Sequence, residues 1–380
     1  MVPVFLFTLI GCCLFLLYGV LIEYYRRAWT SIPGFSAGAR IGQTRISVLI
    51  PVRNEAANIA ACIASLARQS YSKELYQVIV IDDHSTDATG EIVSNIHPSE
   101  LFLKYACLAG GTGKKVAIQT GISMSFGDLI VTTDADCCFE PDWLNTLAVF
   151  YEERGAKFIA APVRMGRPGT KLSLLSIFQT LDFITLQGIT GAAVYKRFHS
   201  MCNGANLAYE KSAFYEAGGF EGIDAIPSGD DMLLMHKIYE KYPDKVFFLK
   251  SPKAIVSTQP ATDWKGFINQ RVRWASKADR YDDKRIFRVL LLVYVVNLMF
   301  VILPIAAIWN SWWLWLLLIG LLTKTMLEFP FVRSVATFFD QQSLMRWFPL
   351  MQPFHIIYTV VIGWMGKFGG YHWKDRKITK

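Results

Sequence analysis

Asp134 and Asp136 stand one residue apart in VTTDADCCFEP (131–141), at the end of an apolar run that reads as a buried strand. Two carboxylates held that close repel each other and lose hydration on burial. A divalent cation offsets both costs, and carboxylate oxygens suit hard ions such as Mg2+ or Mn2+. A second acidic pair, Asp230-Asp231 in SGDD, reads by itself as a helix cap and dipole complement. DDHSTD (82–87) reads equally well as a turn with an N-cap or as part of a ligand site. Lys114 and Lys115 in GKKVAI (113–118) could be solvated charges.

These residues need strands to hold them. ISVLIP (46–51), QVIVID (77–82), 101–105, DLIVTT (128–133) and 157–162 are short apolar runs. They alternate with helical segments at 58–69, from 87 after a Thr86 cap, at 114–125 and after Pro141. That alternation implies a mostly parallel α/β sheet covered on both faces. Ligands of such sheets bind beyond the carboxyl ends of the strands. Strand one ends in PVRNE, strand two in DDHSTD and strand four in DAD, so the polar residues converge where a nucleotide would sit. Neither a Gly-x-Gly-x-x-Gly after strand one nor a Walker loop is present, which excludes the usual dinucleotide oxidoreductase and P-loop readings.

The chain is 52% hydrophobic and only 18% charged, and the apolar excess lies at its two ends. Residues 2–22 and 289–323 carry no charge, and about 20 apolar residues span a bilayer. Arg26 and Arg27 place the side after the first span in the cytoplasm. Two further crossings are expected near 289–309 and 312–332. A fourth apolar run, 347–366, would carry the basic tail outside if it crossed, so it is expected to be interfacial or re-entrant. Lys324 and Glu328, four apart on one helix, are either functional or a snorkelling pair at the membrane edge. The net charge of +8 fits an anionic membrane surface and phosphate-bearing ligands; no zinc-finger spacing or basic arm suggests nucleic acid. Seven cysteines form no C-x-x-C pair and are expected to stay reduced, with Cys137 and Cys138 as packing residues. The six histidines show no ligand spacing.

PVRNE, DDHSTD, GKKVAI, DAD, GDD (229–231) and QRVRW (270–274) occur in that order. Together they resemble the family 2 glycosyltransferases, in particular the membrane branch with ceramide glucosyltransferases and cellulose, chitin and hyaluronan synthases. The resemblance covers about residues 44–280. It implies a GT-A, Rossmann-like nucleotide-diphospho-sugar transferase domain flanked by transmembrane helices. It further implies that Asp134 and Asp136 hold Mg2+ or Mn2+, with Asp134 also facing the nucleotide. Asp83 and Glu55 would contact base and ribose, with Asp82 in support. Pro51 shapes its loop, Arg53 faces the nucleotide, and Lys114 lies near base or phosphates while Lys115 stays solvated. Asp231 corresponds to the catalytic base, with Asp230 standing where the family more often has Glu. In Gln-x-x-Arg-Trp, Gln270, Arg273 and Trp274 are the matching positions, Arg273 for the diphosphate and Trp274 beneath the acceptor. The stretch from Asp263 to Ala278 is also amphipathic, so Trp264, Phe267, Ile268 and Trp274 could lie against the membrane. Residues 203–206 (NGAN) resemble the acceptor-side loop, displaced from the Cys-Gly of polysaccharide synthases.

The expected organisation is an anchor at 1–30, a cytoplasmic transferase domain at 44–262, an interface segment at 263–285, a membrane region at 286–370 and a basic tail. The expected function is transfer from a UDP-sugar to a lipid or membrane-embedded glycan acceptor, in a bacterial inner membrane. A short processive polysaccharide synthase and a non-catalytic nucleotide-sugar-binding membrane protein are the alternatives.

Overall fold

The computed structural model describes residues 2–96, 101–166, 172–224, 229–276, 283–369, 371–373 and 376–378, with backbone only for 2–7 and beyond 369. The chain forms two compact units, one of residues 1–31, 170–199 and 260–380, the other of 32–169 and 200–259. The first unit opens with helix α1 (Val2–Ser31).

The second unit is built on a seven-stranded sheet. β1 (Ile46–Val52), β2 (Tyr76–Asp82), β3 (Phe102–Cys107) and β4 (Leu129–Thr132) are its parallel half, ordered β3-β2-β1-β4. Every residue of β2 and β4 is buried, which is why those segments read as unbroken apolar runs. Helices α2 (Ile59–Ala67), α3 (Thr89–Asn95), α4 (Lys114–Ser123) and α5 (Trp143–Arg154) follow the strands in turn. The chain moves outward from β1 through β2 to β3, then returns to β4 on the other side of β1. That reversal opens a crevice at the carboxyl ends of β1 and β4.

The other half departs from the expected parallel arrangement. β8 (Leu207–Glu210) inserts antiparallel between β4 and β6 (Phe158–Ala160), and β9 (Val246–Phe248) closes the edge. At four residues, β8 is too short to announce itself by periodicity. A small sheet of β5 (Cys138–Phe139), β7 (Val163–Met165) and β10 (Val256–Thr258) lies apart. Helices α7 (Lys211–Glu216) and α8 (Met232–Lys241) complete the unit. Thr86 does not cap α3; the side chain of Asp87 accepts the Thr89 amide at 3.0 Å instead, and the helix starts later than expected. Gly127 lets the chain enter β4: a Cβ there would lie 2.5 Å from the Ser47 amide nitrogen and 2.6 Å from the Ile46 carbonyl carbon. Those are backbone atoms that cannot yield, so Gly127→Ala is expected to lower stability by about 1–3 kcal/mol. A chemical-denaturation midpoint unchanged by the substitution would contradict this packing.

In the helical unit, α6 (Leu174–Tyr195), α9 (Trp264–Ala275), α10 (Lys284–Ala306), α11 (Trp312–Phe338) and α12 (Phe348–Phe368) join α1. The sequence reading placed no element at α6, whose apolar residues surround the helix because it is buried almost all round. Among the described residues, four helices are long and apolar enough to cross a membrane: α1, α10, α11 and α12. α12 is one uninterrupted helix; Pro349 sits in its first turn, where a missing N–H is harmless. Lys324 and Glu328 do not snorkel. Both are buried, paired at 2.5 Å, and Gln352 of α12 bonds both of them at 3.0 and 2.6 Å. The Tyr18 hydroxyl of α1 donates to the same Glu328 carboxylate.

Candidate functional site

Three loops leave the carboxyl ends of the parallel strands and are tied to one another. PVRNE follows β1: Pro51 pairs with Ile81 at the strand end. Asn54 takes a positive φ of 52°, tolerable for Asn, and its side chain accepts the Thr86 amide at 2.8 Å. The Asn54 amide donates to Ser85, and the Glu55 amide donates to Thr89. PVRNE and DDHSTD are therefore one knitted surface, which neither motif reveals alone. Arg53 donates to the Asp83 carbonyl at 2.6 Å, and the Glu55 carboxylate accepts from Asn58 at 2.9 Å.

Asp82 and Asp83 divide their work. Asp82 accepts the Ser85 amide and the Tyr105 hydroxyl, at 2.7 Å each, and so braces the strand end. Asp83 is buried at the crevice, where Gly113 N–H reaches its Oδ2 at 3.0 Å. That bond fixes the start of α4, whose first residue is Lys114.

Lys114 is the centre of the arrangement. Its Nζ lies 2.8 Å from Asp134 and 3.3 Å from Asp230. Burial would lower its pKa, but the charges of Asp134, Asp230 and Asp231 together hold the ammonium well above its usual value. Gly204 passes close by. A Cβ there would meet Lys114 Nζ at 2.9 Å and the Oδ2 atoms of Asp230 and Asp231 at 3.5 Å. Its amide donates to Asp231 Oδ2 at 3.2 Å, while Asp231 Oδ1 accepts Met232 N–H at 2.8 Å and caps α8. GKK, DAD, NGAN and GDD thus meet within one cluster. The capping reading of Asp231 holds, alongside its place in the crevice.

Asp134 is half-exposed; Asp136 is more enclosed and accepts the Thr258 hydroxyl at 2.8 Å. Burial, with Asp134 adding repulsion, pushes Asp136 up to about 6. Lys114 therefore neutralises one carboxylate of the pair and leaves the other under-compensated, which fits a hard cation. Among the described residues no three His, Cys, Asp or Glu side chains group as metal ligands. The two carboxylates match an ion that takes its other ligands from a phosphate-bearing substrate and water.

Some expected positions turn out differently. Lys115 is not solvated: it is buried and donates to the Ile223 carbonyl. Asn206 of NGAN is structural, its amide group bonded to Trp143, Pro162 and Ala254. Thr258 and Ile223 carried no sequence signal, because one acts through a hydroxyl and the other through a backbone carbonyl. All seven cysteines are free, and Cys137 is buried.

QRVRW belongs to the helical unit, on α9, which Asp263 caps through Gly266 N–H at 2.6 Å. Gln270, Arg273 and Trp274 are half-buried. Phe267, expected at the membrane, is wholly buried against Phe178 and Tyr358, whereas Trp264 is exposed. Arg271, between the motif positions, is the helix's anchor. It is buried, pairs with Asp182 of α6 at 2.8 Å, and stacks its guanidinium over Trp274 at 4.2 Å.

Comparisons with known proteins bear on the fold and the family. Residues 47–217 match the family described as Glycosyl transferase family 2. "Probable glycosyltransferase YdaM" of Bacillus subtilis is 29% identical over 239 residues, 61% of this chain and 54% of that protein. "Glycosyltransferase AglE" of Haloferax volcanii is 26% identical over 265 residues, 66% of this chain and 80% of the other. The chain thus spans about half the length of the Bacillus relative. A solved structure titled "Mannosyltransferase PcManGT from Pyrobaculum calidifontis in complex with GDP-Man and Mn2+" aligns with TM-score 0.54 at 18% identity, covering 92% of this chain and 97% of that one. That likeness carries the fold, which is the expected GT-A-like α/β architecture. Residues 47–217 thus carry the likeness to a glycosyl transferase family 2 domain.

Proposed function

We propose that the protein is a membrane-bound, inverting hexosyltransferase that moves a sugar from a nucleotide-diphosphate donor to a lipid or other membrane-embedded hydroxyl. The observation that carries this reading is the Lys114 cluster, which draws Asp134, Asp230 and Asp231 together from separate segments at the sheet's crevice. A UDP-sugar is the proposed donor, with Asp83 and Glu55 toward base and ribose, Arg53 toward the nucleotide and Pro51 shaping the loop. Asp231 accepts the proton of the acceptor hydroxyl as its oxygen bonds to the anomeric carbon. The bond from that carbon to the diphosphate breaks on the opposite face, and a nucleoside diphosphate leaves. Asp134 and Asp136 would hold Mg2+ or Mn2+, which when bound supplies positive charge for the leaving diphosphate. Lys114 adds a second positive charge beside Asp134. Gln270, Arg273 and Trp274 are proposed for the diphosphate and acceptor side.

The proposed placement is multi-pass in a bacterial inner membrane, with the catalytic domain cytoplasmic, consistent with Arg26 and Arg27 near the C-terminal end of α1 and the apolar α10 and α11. The test is a panel of nucleotide sugars with detergent-purified protein and total lipid extract. One donor is expected to yield a lipid carrying a single sugar. Chelation should abolish most of that activity and Mn2+ or Mg2+ should restore it. A polymeric product would reject single transfer, and full activity in chelator would reject the cation.

A further inference from the structure

By length and composition α12 is long and apolar enough to cross a membrane. Its contacts within the helical unit indicate another orientation. α10 and α11 run antiparallel from the turn at 307–311, and Gly320 packs on the ring of Phe300. Tyr294 lies as far from Phe300 along α10 as residue 326 lies from Gly320 along α11, so the two share one level. Near its start α12 meets that level: Gln352 bonds Lys324 and Glu328, which straddle residue 326, and Phe348 packs on Phe329 at 6.0 Å. Near its end α12 meets the same level again. A Cβ on Gly363 would touch the Tyr294 ring at 2.7 Å. Between Gln352 and Gly363 a helix advances about 16 Å. A crossing helix would have moved that far along its neighbours; α12 has moved across them, from α11 to α10.

The companion of α12 is α9. Tyr358 packs on Phe267, Ile362 on Val272, and Gly366 against Ala275. The two helices run side by side along that length. The outer face of α12 is a single stripe of exposed Leu350, Phe354, Ile357, Val361, Trp364 and Phe368. Its spacing of three and four residues is that of one helix face, and α10 and α11 also carry exposed apolar residues, among them Leu290, Leu291, Leu318 and Leu322.

We propose that α12 lies in the plane of one leaflet, with this stripe among the acyl chains, and that among the described helices the membrane is crossed by α1, α10 and α11. Residues 289–306 are the uncharged part of α10, so the level of Tyr294 is about 8 Å inside the apolar boundary. That is the depth at which amphipathic interfacial helices settle, roughly 5–10 Å into the headgroup–acyl boundary. The orientation resolves the charge conflict, because the chain emerges from α12 on the side where α9 ends and α10 begins. The inference rests on the membrane reading and is independent of the catalytic one.

The experiment uses the full chain with Cys12, Cys13, Cys107 and Cys138 replaced by serine. Single cysteines are placed by Ser311→Cys in the α10–α11 turn, Ser343→Cys between α11 and α12, and Lys377→Cys after α12. An impermeant maleimide is applied to sealed right-side-out and inverted vesicles. Ser343→Cys and Lys377→Cys are expected to label from one side and Ser311→Cys from the other. Labelling of Lys377→Cys from the Ser311→Cys side would make α12 a crossing and overturn the proposal. So would labelling of Ser311→Cys and Ser343→Cys from one side, because α11 would then not cross.

Discussion

Asp231→Asn is expected to lower turnover roughly 10²–10⁴-fold, the range a positioned general base contributes, while donor affinity changes little. Asparagine retains a side-chain oxygen for Met232 N–H, so the cap of α8 survives and the loss is chemical rather than structural. Asp230→Asn is the matched control. Asp230 is the acid paired with Lys114, whereas Asp231 is held by the amides of Gly204 and Met232. Removing the Asp230 charge should disturb donor binding more than turnover. Donor titration and single-turnover transfer separate the two effects. If Asp230→Asn abolished turnover while Asp231→Asn did not, the roles of the neighbours would be exchanged.

Arg271→Leu should destabilise the helical unit by about 3–5 kcal/mol, the cost of stranding one member of a buried ion pair. Asp182 would keep its charge inside the protein with the imidazole of His355, 3.8 Å away, in place of a guanidinium. Trp274 would lose the guanidinium stacked on its ring. Adding Asp182→Leu removes the stranded charge and should recover most of the loss, because well-packed apolar replacements of buried pairs are often neutral. Thermal unfolding in detergent reads both variants. A single variant as stable as the parent would show that the pair does not anchor α9.

The parallel half of the sheet was legible because β1, β2 and β4 are buried on both faces and leave uninterrupted apolar runs. The polar strand ends were legible for the opposite reason: Asp82, Asp134 and Asp136 contradict the runs they terminate. β8 and the antiparallel half were not, since four residues give too little periodicity and their partners lie far off in sequence. Lys115 misled because its ammonium is satisfied by the carbonyl of Ile223, which no residue type encodes. Arg271 carried the appearance of a surface charge on an amphipathic helix. Its counter-charge, Asp182, lies on a helix that sequence reading did not identify. Phe267 failed alike: its neighbours Phe178 and Tyr358 come from α6 and α12, so its inward face exists only once three helices have met.

Tyr18 and Glu328, 310 residues apart, meet in the finished protein. In the proposed membrane placement α1 is synthesised, and enters the bilayer, long before its carboxylate partner has been made. Lys324 and Glu328 face no such delay, being a turn apart on the same helix, and can enter as a self-neutralised couple. Gln352 follows soon after and completes the bonding. The N-terminal hydroxyl is thus the member that waits longest, which makes docking of α1 onto α11 a late step of biogenesis rather than its template.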